Sequence, residues 1–286
     1  MILPLTRFPW FRSGLGCLLP VALSIFPASA IAQAQTQAPL LAGIAHVAIR
    51  VSDLTRSRDF YEKLGFEAAF AMSKDGTTTE VFLKVNDRQF IEMYPQQQPS
   101  QPIGFMHVCF ESTDMEALNR DYLARGLSPT PVKRAGAGNL LFTMVGPEQQ
   151  NIEYTEYMPG SMHSNDRGKH LGANRISEEI VGLSLVMEDP AAAQAFYEQK
   201  LGFHPSHRAL EPGLISLEIP GRSGQVVGIA PRATSPAFQI LLSVSDLRLA
   251  AAQLKALHLP VEKQESMLSI QDPDGNRIVV VKAKPY

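Results

Sequence analysis

The sequence predicts an α+β protein of two tandem modules, each a pair of βαβββ units folded into a cupped mixed sheet. Two internal repeats predict it. The longer one joins the halves: Phe60-Tyr61-Glu62-Lys63-Leu64-Gly65-Phe66 returns as Phe196-Tyr197-Glu198-Gln199-Lys200-Leu201-Gly202-Phe203. The shorter one lies inside the first half, where Ile44-Ala45-His46-Val47 with Ser52-Asp53-Leu54 is echoed by Phe105-Met106-His107-Val108 with Thr113-Asp114-Met115. Self-similarity at fixed spacing marks a structural unit used again, here twice per half. A length of 286 residues suits two domains of ordinary size, each able to bury a core.

Each unit opens on a strand. Val47, Ile49 and Val51 alternate with Ala48 and Arg50, so one face is aliphatic. Asp53, Asp114 and Asp189 then stand at helix starts, and Gly65 and Gly202 follow the Phe-Tyr helices as left-handed caps. The helix of the second unit carries Leu118, Tyr122 and Leu123 on one side. Short strands are expected near 81–83, 90–94, 140–145 and 152–157. One helix per group of strands covers one face of a sheet and leaves the other concave and free for a site.

The ends and joints read differently. Arg7 and Arg12, an apolar run from Leu15 to Phe26 and Ala-x-Ala sites predict a signal peptide over 1–32, and therefore a periplasmic or secreted protein. Pro20 and Pro27 interrupt or bound that run, which is short of the ~20 residues of a membrane span. Cys17 lies at the start of the run, the wrong end for a lipoprotein site. Residues 33–40 are a flexible leader, 41–157 the first module, 158–178 a linker and 179–286 the second module. Signal removal leaves Cys109 as the sole cysteine, so no internal disulfide forms. His163 and His170 in the linker, and His204 and His207 after it, are expected at the surface. A net charge of −2 without a basic block gives no reason to expect nucleic acid or an anionic membrane as partner.

The chemistry is concentrated in the first half. His46 precedes Glu92 by 46 residues and His107 precedes Glu153 by the same 46, the two pairs being offset by 61. Taken singly, a strand histidine is more often structural. Four such residues in duplicated spacing, each pointing away from the aliphatic face, are read as a metal set. Two imidazoles and two carboxylates suit Fe, Mn, Ni, Co or Zn and are poor for Ca, which prefers oxygen alone. Periodicity puts Arg50, Tyr94, Cys109 and Glu111 on the same face as candidates for substrate contact.

The strand histidines, the Asp-Leu helix start, the Phe-Tyr…Leu-Gly-Phe helix, the glutamate strands and Asp272-Pro273-Asp274-Gly275-Asn276 resemble the vicinal oxygen chelate superfamily. Its members include glyoxalase I, extradiol ring-cleaving dioxygenases and the fosfomycin and bleomycin resistance proteins. The resemblance implies that His46, Glu92, His107 and Glu153 occupy the four metal positions of glyoxalase I. The dioxygenase and fosfomycin branches match at His46, His107 and Glu153, so Glu92 tilts the chain toward the isomerase-like branch, as ligand or as general base. In the second half Gly182, Gly228, Gln239 and Val279 stand at the four positions, and no metal is expected there. The expectation is an exported metal-dependent enzyme for a small vicinal-oxygen substrate, either a glyoxalase-like lyase or isomerase or an extradiol-type dioxygenase. The alternative is a small-molecule sequestering protein of the bleomycin-resistance type. The modules are expected to pair within the chain, and a homodimer is compatible with the sequence.

Overall fold

The computed structural model describes residues 40–206, 213–233 and 238–283. The signal peptide, Cys17, the leader up to Pro39, and His207 lie outside them. The first module runs β1 (Leu41–Val51), α1 (Leu54–Lys63), β2 (Ala68–Lys74), β3 (Thr77–Lys84), β4 (Phe90–Pro95), β5 (Gly104–Ser112), α2 (Met115–Ala124), β6 (Lys133–Arg134), β7 (Leu140–Val145) and β8 (Asn151–Glu156). A short helix, α3 (Met162–Asn165), follows. The second module runs β9 (Glu179–Met187), α4 (Pro190–Ala195), β10 (His204–Pro205), β11 (Ile215–Ile219), β12 (Arg222–Pro231), β13 (Gln239–Val244), α5 (Leu247–Ala256), β14 (Glu262–Lys263), β15 (Met267–Gln271) and β16 (Arg277–Lys282).

The strand order is β2-β3-β4-β1-β5-β8-β7-β6 in the first sheet and β10-β11-β12-β9-β13-β16-β15-β14 in the second, position for position the same. In each, an antiparallel central pair is flanked by parallel neighbours (β1 by β4, β5 by β8), so each sheet is mixed. Val47, Ile49 and Val51 are fully buried in one core with Phe60 and Tyr61 of α1 and Leu64 at its C-terminal cap, as their alternation requires. Asp53, Asp114 and Asp189 cap their helices by accepting from Arg56, Ala117 and Ala192 backbone N–H groups at 3.0, 2.9 and 2.9 Å. At Gly65 the left-handed φ of +90° coincides with close approach: a Cβ there would lie 2.6 Å from the Asn174 carbonyl oxygen.

One difference between the repeats has a local cause. The second copy holds one residue more between its Phe-Tyr and its Gly, and a π turn over Phe196–Lys200 absorbs it, so Gly202 still caps at φ +78°. The half-exposed edge strand β2 and the two-residue β6 were not expected, because neither carries a clear alternation.

The modules meet about a pseudo-twofold axis. Gln89 donates to Ile180 O at 2.9 Å and accepts from Ile180 N at 2.8 Å. Its counterpart Gln225 accepts from Ile44 N at 2.8 Å. Tyr61 donates to Asp272 at 3.1 Å and Tyr197 to Gln150 at 2.9 Å, each helix reaching the turn before the other module's last strand. The apolar layers fuse into one core, with Phe110 and Phe203 ring centroids 5.6 Å apart. No described helix is long and apolar enough to cross a membrane.

Candidate metal centre

Strand register explains how distant residues meet. His46 on β1 lies across from Cys109 on β5, and Cys109 lies across from Glu153 on β8, so the three form one row across the sheet. Glu92 on β4 and His107 on β5 flank Ala48 in the next row. All five side chains stand on the concave face. Their donor atoms crowd together: His46 Nε2 is 2.8 Å from Glu92 Oε2, 3.1 Å from His107 Nε2 and 3.5 Å from Glu153 Oε1. His107 Nε2 is 3.6 Å from Glu92 Oε2. Within the groups His46, Glu92, His107 and His46, Cys109, Glu153, the donor atoms all fall within 4.8 Å of one another.

The two imidazoles and the Glu92 carboxylate are buried, at 3–5% exposure. Glu92 Oε2 has no hydrogen-bond partner despite its close approach to His46, so the two atoms crowd together without the ring N–H being directed at the oxygen. A divalent ion would satisfy this set: nitrogen and oxygen donors converge, and an orphaned buried carboxylate oxygen faces them. Burial alone would push the His46 imidazolium down, but the Glu92, Glu153 and Glu80 carboxylates outweigh it and raise the group. Glu92 is held well below the carboxylate range because His46 and His107 overcome its burial.

A cavity of about 270 Å³ opens over this cluster, with His46, Glu80, Glu92, Tyr94, Glu153 and His163 in its lining. Tyr94 O–H donates to Glu92 Oε1 at 2.6 Å and fixes the carboxylate's orientation. Burial and the neighbouring carboxylate charge push the Tyr94 phenol up. Cys109 is fully buried beneath, its thiol also pushed up by burial and by Glu153.

Of the four expected substrate contacts only Tyr94 lines the cavity: Cys109 lies beneath it, and two fall elsewhere. Arg50 is not in the cavity lining; its guanidinium bonds the Pro102 carbonyl at 2.9 Å. Glu111 pairs with Arg88 at 2.7 Å in a groove between the modules. Sharing a face was not enough. Two residues along a strand carry a side chain ~6.6 Å, far enough to leave a cup this small.

Among the cavity residues that escaped the sequence reading are Glu80 and His163. Glu80 lies on β3, one ladder step from Phe82, which pairs with Glu92. Burial first, then Glu92 and Glu153, raise its carboxyl to about 7. Its alternation with Phe82 was legible, but the register that carries it to Glu92 was not. His163, expected in solvent, is 4% exposed on α3. The segment before the second module folds back onto the first, anchored by the fully buried Lys84 ammonium on Asp166 at 2.8 Å. His170, by contrast, pairs with Asp166 nearer the surface, and His204 is exposed as expected.

In the second module the equivalent register brings Gly182, Gly228, Gln239 and Val279 together. Val226, Leu241, Met267, Val279 and Val281 pack over this face with Leu214 against them. The four site positions supply no imidazole or carboxylate, and the space is filled by aliphatic side chains.

Compared by sequence with curated proteins, the chain matches none. Among solved structures it resembles the extradiol ring-cleaving dioxygenase from B. fuscum, with a TM-score of 0.65, 15% identity, and 87% of this chain and 74% of that one covered. The 2,3-dioxygenase LapB from Pseudomonas sp. KL28 gives 0.66, 16%, 86% and 94%. The Mn(II)-bound glyoxalase from Novosphingobium aromaticivorans gives 0.64, 14%, 85% and 83%. At these identities the likeness is one of fold. The model of the Glyoxalase/Bleomycin resistance protein/Dioxygenase superfamily matches residues 43–154 and again 179–280, and the chain belongs to that superfamily.

Proposed function

We propose that the first module is a metal-dependent lyase or isomerase of the glyoxalase kind, acting on a small molecule with two neighbouring oxygens outside the cytoplasm. The observation that carries this reading is the convergence of the His46, Glu92, His107 and Glu153 donor atoms, with His46, Glu92 and Glu153 lining one cavity. His46, His107 and Glu153 would hold a divalent first-row ion, with Glu92 as fourth ligand or as base. The ion, when bound, polarises substrate oxygens and stabilises negative charge developing on them.

The protein's own contribution is placement and exclusion. The sheet fixes the donors on four adjacent strands, and Tyr94 orients Glu92. Burial of His46, Glu92 and His107 limits the access of bulk water to these donors. The second carboxylate favours lyase or isomerase chemistry over ring cleavage. With Glu92 as a fourth donor, fewer positions on the ion would be left for a further small ligand than with His46, His107 and Glu153 alone. The export motif supports a substrate met outside the cytoplasm.

Metal analysis of the purified mature protein tests this reading. The expected result is one divalent ion per chain, lost in His107→Ala. Equal metal content in both proteins would remove the centre. Oxygen uptake with a catechol panel would move the assignment to ring cleavage.

A further inference from the structure

Cys109 sits inside the donor cluster rather than apart from it. It is fully buried on β5, at the middle of the row His46, Cys109, Glu153 that crosses three neighbouring strands. A short side chain thus stands between two long ones. The donor atoms of His46, Cys109 and Glu153 lie within 4.8 Å of one another, and so do those of His46, Glu92 and His107. Two ligands held ~2.0–2.3 Å from one ion are at most ~4.6 Å apart, so each trio is close to the span of a single coordination sphere.

The surroundings of the sulphur differ from those of a packing cysteine. Such a residue behaves as a small hydrophobe among apolar neighbours. Across the ladder Cys109 faces an imidazole on one side and a carboxylate on the other, and its thiol has only a long contact of 3.8 Å to the Phe110 carbonyl. The apolar solution at this step is seen in the second module. There Leu241 lies between Gly182 and Val279, among the aliphatic residues that pack over that face. The buried Glu92 Oε2, unpartnered and 2.8 Å from His46 Nε2, independently points to a cation at this cluster.

The two trios differ in chemical softness. Imidazoles with carboxylates alone suit manganese and iron, whereas a thiolate selects for softer ions such as zinc. Both trios draw on His46, so an ion in one displaces an ion from the other. His46 and Glu153 line the cavity and give an entering ion a way to the sulphur between them.

We propose that Cys109 is a metal ligand for thiophilic ions: with His46 and Glu153 it forms a second donor set, overlapping the first at His46, that takes zinc through sulphur. This deepens the metal-centred reading above and rests on it. Zinc binding forms a zinc–sulphur bond with the thiol's electron pair and releases the thiol proton to solvent, with no change of oxidation state. Manganese is held by nitrogen and oxygen alone. The identity of the ion therefore sets which donors hold it.

The test adds one equivalent of zinc chloride, and separately of manganese chloride, to the metal-free protein and reads the ligand shell by X-ray absorption. Zinc should show a sulphur neighbour at ~2.3 Å beside nitrogen and oxygen, and manganese should show nitrogen and oxygen only. In Cys109→Ser the sulphur shell should vanish and zinc affinity fall about tenfold or more, with manganese affinity within about twofold of the parent. Zinc should displace bound manganese ion for ion. Zinc held without sulphur, a sulphur shell that survives in Cys109→Ser, or both ions held at once overturns the proposal. The parent spectrum decides it even where the serine variant does not fold. Failure of both ions to bind removes the centre and the sulphur site together; manganese bound, with zinc bound through nitrogen and oxygen only, removes the sulphur site alone.

Discussion

The two modules share strand order, register and helix caps, and they differ in what fills the cup. In the first, His46, Glu92, His107, Cys109 and Glu153 cluster at a cavity that His46, Glu92 and Glu153 line; in the second, Gly182, Gly228, Gln239, Leu241 and Val279 occupy the same ladder positions. Polar groups gathered on a concave face keep it open, because each needs a partner that its neighbours cannot supply. Aliphatic groups in the same place pack against one another, as the described residues of the second module do. The scaffold tolerates both because its stability resides on the opposite face, in the core the modules share. A site can therefore be lost without loss of fold.

Restoring one ligand should break the second module rather than equip it. At Gly182 a Cβ would lie 2.6 Å from the Val226 carbonyl oxygen, a backbone atom that cannot yield easily. Gly182→His should destabilise the chain by about 3 kcal/mol or more in urea unfolding, with metal content unchanged. Stable folding with a second metal bound would show that the closed cup can reopen.

The reciprocal amides sharpen the comparison. Gln89 makes hydrogen bonds to Ile180 N, Ile180 O and Ile44 O, whereas Gln225 bonds Ile44 N and Glu179. Gln89→Ala strands more buried backbone groups, and should cost about 2–3 kcal/mol against about 1–2 for Gln225→Ala. Equal losses would mean that the interface depends on its apolar packing alone. The smallest effect is expected at the caps: Asp114→Ala should lower stability by about 1 kcal/mol, seen as a shift in the unfolding midpoint, and leave metal content untouched.

Much of the fold was legible because its signals are local or duplicated. Aspartate caps, the glycine after each Phe-Tyr helix and strand alternation each act within a few residues. The 61-residue offset between His46 and His107, shared by Glu92 and Glu153, transmits a spatial relation through a repeat. Glu80 illustrates the limit, since alternation assigns its face but not the strand beside it.

Sequence alone thus determined the repeated architecture, the face bearing each candidate ligand, and the module from which ligands are missing. These follow from backbone periodicity and from copying one unit. Tertiary structure decided which residues reach the cavity: it removed Arg50, Cys109 and Glu111, and admitted Glu80, Asn139 and His163. Membership of a cavity depends on sheet curvature, ladder register and the path of a returning chain segment, and these are set by packing between residues far apart in sequence.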